Sequence, residues 1–111
     1  MRLFVWLAVN RLYIMERGGC VYIMTTVFNN IYYTGVTSEL RNRVWEHKDN
    51  VYPKSFTSKY KCYKLVYFQF FPNIEEAITE EKRTKGGSRQ QKINLIKGLN
   101  PEWIDLFETL D

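Results

Sequence analysis

Five side chains of this 111-residue chain could do chemistry together: Tyr22, Tyr33, Arg43, His47 and Glu81. Tyr33 follows Tyr22 by 11 residues, and Arg43 follows Tyr33 by 10. His47 stands at i+4 from Arg43, so the two stack on one face of a helix. Two phenols, a guanidinium, an imidazole and a carboxylate are the parts needed to hydrolyse a phosphodiester. That reaction needs a base for the water, positive charge at the phosphate oxygens and help for the leaving alkoxide. A divalent metal supplies the last two. Mg²⁺ keeps several waters and needs only one or two carboxylates, a demand Glu81 alone can meet. A guanidinium such as that of Arg43 clasps a phosphate bidentately, which lysine does less well. A phenol ionises near pH ~10, so a tyrosine serves as a base near neutrality only beside a cation or metal-bound water. Singly, each residue has an ordinary reading: strand packing for the tyrosines, a solvated Arg43, a hydrogen-bonded His47, a Glu81–Lys85 ion pair. Together, the five residue types and their placing on neighbouring elements favour a site.

The elements that must position these groups follow from periodicity. Cys20 to Val27 is rich in Val, Ile, Tyr and Thr and reads as a strand. Asn29-Asn30 is the turn signal, and Ile31 to Val36 the return strand, with Tyr33 and Gly35 on one face. Gly35 inside a strand marks a close approach. Ser38 is the expected N-cap of a helix running to about Lys48, with Leu40, Val44 and His47 inward. Val51 to Lys61 reads as a loop. Tyr63 to Phe71 is a buried strand ended by Pro72. Ile74 to Lys85 is a helix whose apolar stripe, Ile74, Ala77 and Ile78, continues into Glu81. A carboxylate on such a stripe must be paired, metal-bound or at the edge of a site. Ser88 caps a further short helix with Ile93 and Ile96 inward, closed by Gly98, and Asn100-Pro101 opens a last turn held by Trp103 and Leu106. The order predicts a small α+β domain: a three-stranded, mainly antiparallel sheet flanked by helices.

Composition sets the outer bounds. One domain with one core fits 111 residues with 45% hydrophobic and 16% aromatic content. The net charge of +4 is mild, but the basic residues cluster. Lys82 to Lys97 holds six basic residues and no acid, and Lys54 to Lys64 holds four lysines and no acid. A solvated surface explains either run alone; together, beside the five-residue constellation, they point to a phosphate backbone. Lys59, Lys61, Lys82, Lys85 and Arg89 are the candidate contacts. Cys20 and Cys62 make neither a disulfide framework nor a zinc site and fit a reducing, cytoplasmic setting. The apolar run Leu3 to Val9 is too short to span a bilayer, so no membrane partner is expected. Residues 1–14 read as an upstream extension ahead of a start at Met15, with 15–111 as the domain; without them the charge falls by Arg2 and Arg11 to +2.

The pattern resembles the GIY-YIG nuclease family. Cys20-Val21-Tyr22 stands where that family has Gly-Ile-Tyr, and Tyr33-Thr34-Gly35 where it has Tyr-Ile-Gly. Arg43, His47 and Glu81 fall at its arginine, its nearby His or Tyr, and its metal-binding glutamate. The likeness runs from about Gly19 to Leu106 and is nearest to small stand-alone bacterial members. It implies a metal-dependent endonuclease acting on DNA, with RNA not excluded. In it Tyr22 is the first choice of general base and Tyr33 the alternative or partner. Arg43 holds the phosphate, His47 bonds the phosphate or relays a proton, and Glu81 binds a single Mg²⁺ or Mn²⁺. Cys20 for Gly and Thr34 for Ile depart from the motif names without removing a reactive group. Weak or structure-dependent specificity, or a protein partner that supplies it, is expected. The alternative is a nucleic-acid-binding module of the same fold with vestigial cutting.

Overall fold

A computed structural model describes residues 18–110. The expectations for residues 1–14 and the start at Met15 lie outside them. Strands β1 (Gly19–Thr25), β2 (Tyr32–Thr37) and β3 (Lys64–Phe71) form an antiparallel sheet in the order β2-β1-β3. Helices α1 (Leu40–Lys48) and α2 (Phe56–Tyr60) lie between β2 and β3; α3 (Ile74–Lys85), α4 (Arg89–Leu99) and a 3₁₀ turn (Leu106–Thr109) follow β3. The architecture is the expected α+β one.

β1 is central and buried along its whole length. Strand alternation sends Cys20, Tyr22 and Met24 to one face, where Leu40 and Val44 of α1, Cys62 and Leu65 close the core. Leu106, Phe107 and Leu110 pack against its rim. The opposite face carries Ile23 against Val66, Tyr67 and Ile96, with Leu95 and Trp103 around them. A bulge in β3 lets Ile23 pair with Tyr67 while Met24 pairs with Leu65. The extra residue, Val66, allows neighbouring Val66 and Tyr67 to serve the same core.

Two glycines allow backbone contacts that a side chain would block. A Cβ on Gly19 would lie 2.7 Å from Ala77 Cβ and 2.7 Å from Ile74 Cδ1, so α3 sits directly on β1 there. A Cβ on Gly35 would lie 2.4 Å from Tyr22 Cζ. Gly35 pairs across the sheet with Tyr22, and the Tyr22 ring lies in the space its missing side chain leaves.

Several boundaries shift. β1 ends at Thr25, because Asn29 N–H closes a turn onto the Thr26 carbonyl (3.0 Å) and leaves Val27 and Phe28 exposed at its tip. α1 begins after Glu39, not Ser38; the Thr37 hydroxyl accepts from Glu39 N–H at 3.0 Å. The expected loop 51–61 contains α2, started by Ser55, whose Oγ accepts from Ser58 N–H, and ended by Lys61 at φ 59°. Five residues show no helical period, so only these caps announce it. α4 runs through Gly98 to Leu99, with Asn100 as its cap. Asn100 then bonds Val66 and Ile104 carbonyls and fastens the C-terminal turn to β3.

Candidate active site

Tyr22 is 1% exposed, and its hydroxyl lies 2.9 Å from Nε2 of His47. α1 brings His47 there because Leu40, Val44 and His47 form its buried face, as the period predicts. The other ring nitrogen, Nδ1, lies 2.8 Å from the Thr57 hydroxyl. Thr57 is 1% exposed on α2, and its Oγ1 lies 3.1 Å from Ser55 Oγ. One chain of hydrogen bonds therefore runs Tyr22–His47–Thr57–Ser55. With the proton on Nδ1, Tyr22 donates to His47 and His47 to Thr57; with the proton on Nε2, the chain runs the other way. Sequence reasoning missed Thr57. A hydroxyl in an apparent loop carries no periodic signal; Ser55-x-x-Ser58 as a capping pattern was the available clue.

Burial pushes the Tyr22 phenol well above its ordinary range; nearby Tyr33 adds to the rise and the Arg43 charge opposes it. Burial lowers His47, and Arg43 lowers it further against the pull of Glu46. At neutral pH the pair is a protonated phenol facing a neutral imidazole. Burial also pushes the Cys20 thiol up to about 12 and Cys62 to about 11, which makes both inert core residues.

Tyr33 is half-buried beside this pair. Its ring centroid is 6.2 Å from that of Tyr22 and 5.5 Å from that of His47. Arg43 lies within electrostatic reach of both Tyr22 and His47. It is partly exposed and lies 3.5 Å from Glu46, a weak surface pair. The structure thus brings Tyr22, Tyr33, Arg43 and His47 together.

Glu81 lies on α3, which packs across β1 and β2. It is 8% exposed, on a buried stripe of Ala77, Glu81 and Thr84. Ile78, expected on that stripe, points outward instead. Glu81 Oε2 accepts from Lys85 Nζ at 2.8 Å. That bond raises the Lys85 ammonium, burial opposes the rise, and Tyr33 adds to it. Glu80, at the next position, pairs instead with Arg83 through two hydrogen bonds, and this holds its carboxyl below the usual range.

Among the described residues no three His, Cys, Asp or Glu side chains converge as a metal cage. One buried carboxylate with hard oxygens suits a hydrated Mg²⁺ or Mn²⁺ that takes its remaining ligands from water and phosphate. Glu81 is already engaged by Lys85, in the ordinary ion pair that its i,i+4 spacing allows. Of the candidate phosphate contacts, Lys59, Lys61, Lys82 and Lys85 are exposed. Arg89 is exposed but engaged: it lies 4.7 Å over the Tyr32 ring and donates to the Asn30 carbonyl at 2.8 Å, tying α4 to the hairpin.

The fold is a small α+β domain that gathers Tyr22, Tyr33 and His47 on one face of its sheet. The chain belongs to the GIY-YIG family: the profile described as the GIY-YIG catalytic domain matches residues 18–94. It is 32% identical over 82 residues to a UPF0213 protein of Syntrophus aciditrophicus, covering 74% of this chain and 92% of that one. It is 38% identical over 76 residues to UPF0213 protein CPE1444 of Clostridium perfringens, covering 68% and 80%. Among solved structures, the solution structure of UPF0213 protein BH0048 from Bacillus halodurans is similar, with a TM-score of 0.50 at 26% identity over 79% of this chain and 92% of that one. No helix of the described residues is long and apolar enough to cross a membrane.

Proposed function

We propose that this protein is a metal-dependent endonuclease that hydrolyses phosphodiester bonds in DNA. The observation that carries the reading is the hydrogen bond between the buried Tyr22 phenol and His47 Nε2. A phenol held this high in pKa does not ionise alone. It works as a relay: the attacking water gives its proton to the Tyr22 oxygen as the Tyr22 proton passes to Nε2. His47 is neutral and able to accept. Both its ring nitrogens already have protein partners, which supports the relay role over direct phosphate contact. Arg43 exchanges Glu46 for the scissile phosphate and orients it in line. Tyr33 stands at the mouth of the pair as its partner. A divalent ion held by Glu81 would neutralise phosphate charge and assist the leaving alkoxide. Exposed Lys59, Lys61 and Lys82 would track the backbone, joined by Lys85 when it leaves Glu81.

Full-length protein incubated with Mg²⁺ or Mn²⁺ should cut at least one member of a panel of duplex, single-stranded, flap and junction DNA. Arg43→Ala and Glu81→Ala should each abolish cutting while circular dichroism stays unchanged. Cutting that survives Glu81→Ala sinks the metal assignment. Binding without cutting by the unaltered protein supports a binding module instead.

A further inference from the structure

The segment that supports His47 carries a second feature. From Asn50 to Ile74 the chain has no acidic residue, and Tyr52, Phe56 and Tyr60 are interleaved there with Lys54, Lys59 and Lys61. These rings are left in water: Tyr52 is 52% exposed, Phe56 43% and Tyr60 40%. Two of them are also organised. The Phe56 ring lies 5.9 Å from that of Tyr33 at an interplanar angle of 31°, and the Tyr60 ring lies 4.7 Å from that of Phe56. The Lys59 ammonium sits 5.3 Å from the Tyr60 centroid. A row of rings therefore leads from Tyr33, at the catalytic cluster, to a cationic rim.

Core packing accounts for the face Phe56 turns to Tyr33, but not for the exposed surface of Phe56 and Tyr60. Lysines without acids favour a polyanion, and flat aromatic surface favours stacking on bases. Bases inside a duplex stack on each other and offer a protein only their edges, so a ring on the protein can stack only on an unpaired or extruded base. We propose that Phe56 and Tyr60 form a stacking platform for an unpaired nucleobase, with Lys59 and Lys61 on its flanking phosphates. Adjacent to Tyr33, the platform places that base beside the bond to be cut. The substrate class is then DNA with unpaired nucleotides at the cut, as in a single strand, flap or bulge. Only this last step rests on the nuclease reading.

The test uses full-length protein in EDTA, so that nothing is cut. The probe is a single-stranded oligonucleotide carrying 2-aminopurine, compared with the same strand fully paired. Binding should quench the single strand. Tyr60→Ala should weaken its affinity by about tenfold or more, leave duplex affinity within about twofold, and Tyr60→Trp should restore it. Equal loss on both forms, or no loss, overturns the platform. So does a Tyr60→Ala change in the sedimentation of the protein alone, which would make the face an interface between copies. The two readings fail separately. Tyr60-dependent stacking without cutting of any substrate in Mg²⁺ keeps the platform and removes the nuclease. Cutting of duplex as fast as single strand, indifferent to Tyr60, does the reverse.

Discussion

Two buried hydroxyls on opposite faces of the sheet, those of Thr57 and Thr34, meet different fates. On the α1 face, Tyr22, His47 and Thr57 are buried and bonded to one another in an unbroken chain. On the α3 face, Thr34 is buried at 4% exposure, and its hydroxyl has no hydrogen-bond partner among the described residues. A satisfied network in a low-dielectric setting is rigid and sets the protonation state of its members, whereas a lone hydroxyl only loses its hydration. The comparison separates polar atoms that folding bonds to one another from one that it merely tolerates. Four substitutions sharpen it.

The largest effect is expected from Tyr22→Phe. It removes one oxygen, leaves the ring packed over Gly35 and breaks the chain at its working end. Single-turnover cleavage should fall about a thousandfold, in the range of a lost acid–base group, with a melting temperature close to that of the parent. A Tyr22→Phe enzyme within about tenfold of the parent rate would move the proton transfer to Tyr33.

Gly35→Ala comes next and tests the same chain through packing. The added methyl would meet the Tyr22 ring at 2.4 Å, far inside contact distance. The ring must leave or the strands must part, with a loss of stability of about 1–3 kcal/mol by denaturant titration. If the ring leaves, the 2.9 Å bond to His47 goes with it, and cleavage falls even in the fraction that stays folded. Unchanged activity in a variant whose Tyr22 ring is displaced would show that the Tyr22–His47 bond is dispensable.

Much of this design could be read from residue order, and the exceptions have physical causes. The strands and the inward face of α1 follow alternation and the helical period, so Tyr22, Tyr33, Arg43 and His47 were placed correctly on their elements. Glu81 stands out because a carboxylate breaks an apolar stripe, and it is buried there, with Thr84 on the stripe and Ile78 turned outward. Thr57 could not be found that way. Its role depends on a five-residue helix and on a contact across ten positions, neither of which leaves a periodic trace. Likewise, Arg89 read as a phosphate contact because charge runs show no tertiary partners, and the Tyr32 ring and Asn30 carbonyl engage it. Nor does spacing reveal the direction of a pKa shift; burial raises Tyr22 and lowers His47 only once both are packed.

Thr57→Val keeps the shape and removes the bond to Nδ1. Cleavage should fall about tenfold, as expected for losing one bond to a group used in the transition state, and Thr57→Ser should restore it. The pH profile distinguishes orientation from bulk packing. Burial and Arg43 place His47 below its ordinary 6.5, so the acid limb of activity should lie below that value. Stability has the same sign: the unfolded chain binds the His47 proton more readily, so stability falls as pH drops through 6.5 towards the folded value. An acid limb above 6.5 contradicts a His47 that must be neutral to accept a proton.

The smallest effect belongs to the other face and should have the opposite sign. Thr34 pairs with Ile23 across β2 and β1, in a layer that also holds Val66 and Ile96. Its hydroxyl gives up water and gains no bond. Thr34→Val is isosteric, removes the stranded donor and adds a methyl where the surroundings are apolar. Replacing an unsatisfied buried hydroxyl in this way should stabilise the protein by about 1 kcal/mol. The Tyr22–His47 bond should be untouched, because Thr34 lies on the opposite face of the sheet. Destabilisation would mean that the hydroxyl has a partner, a buried water above all, and that both faces of the sheet then obey the same rule.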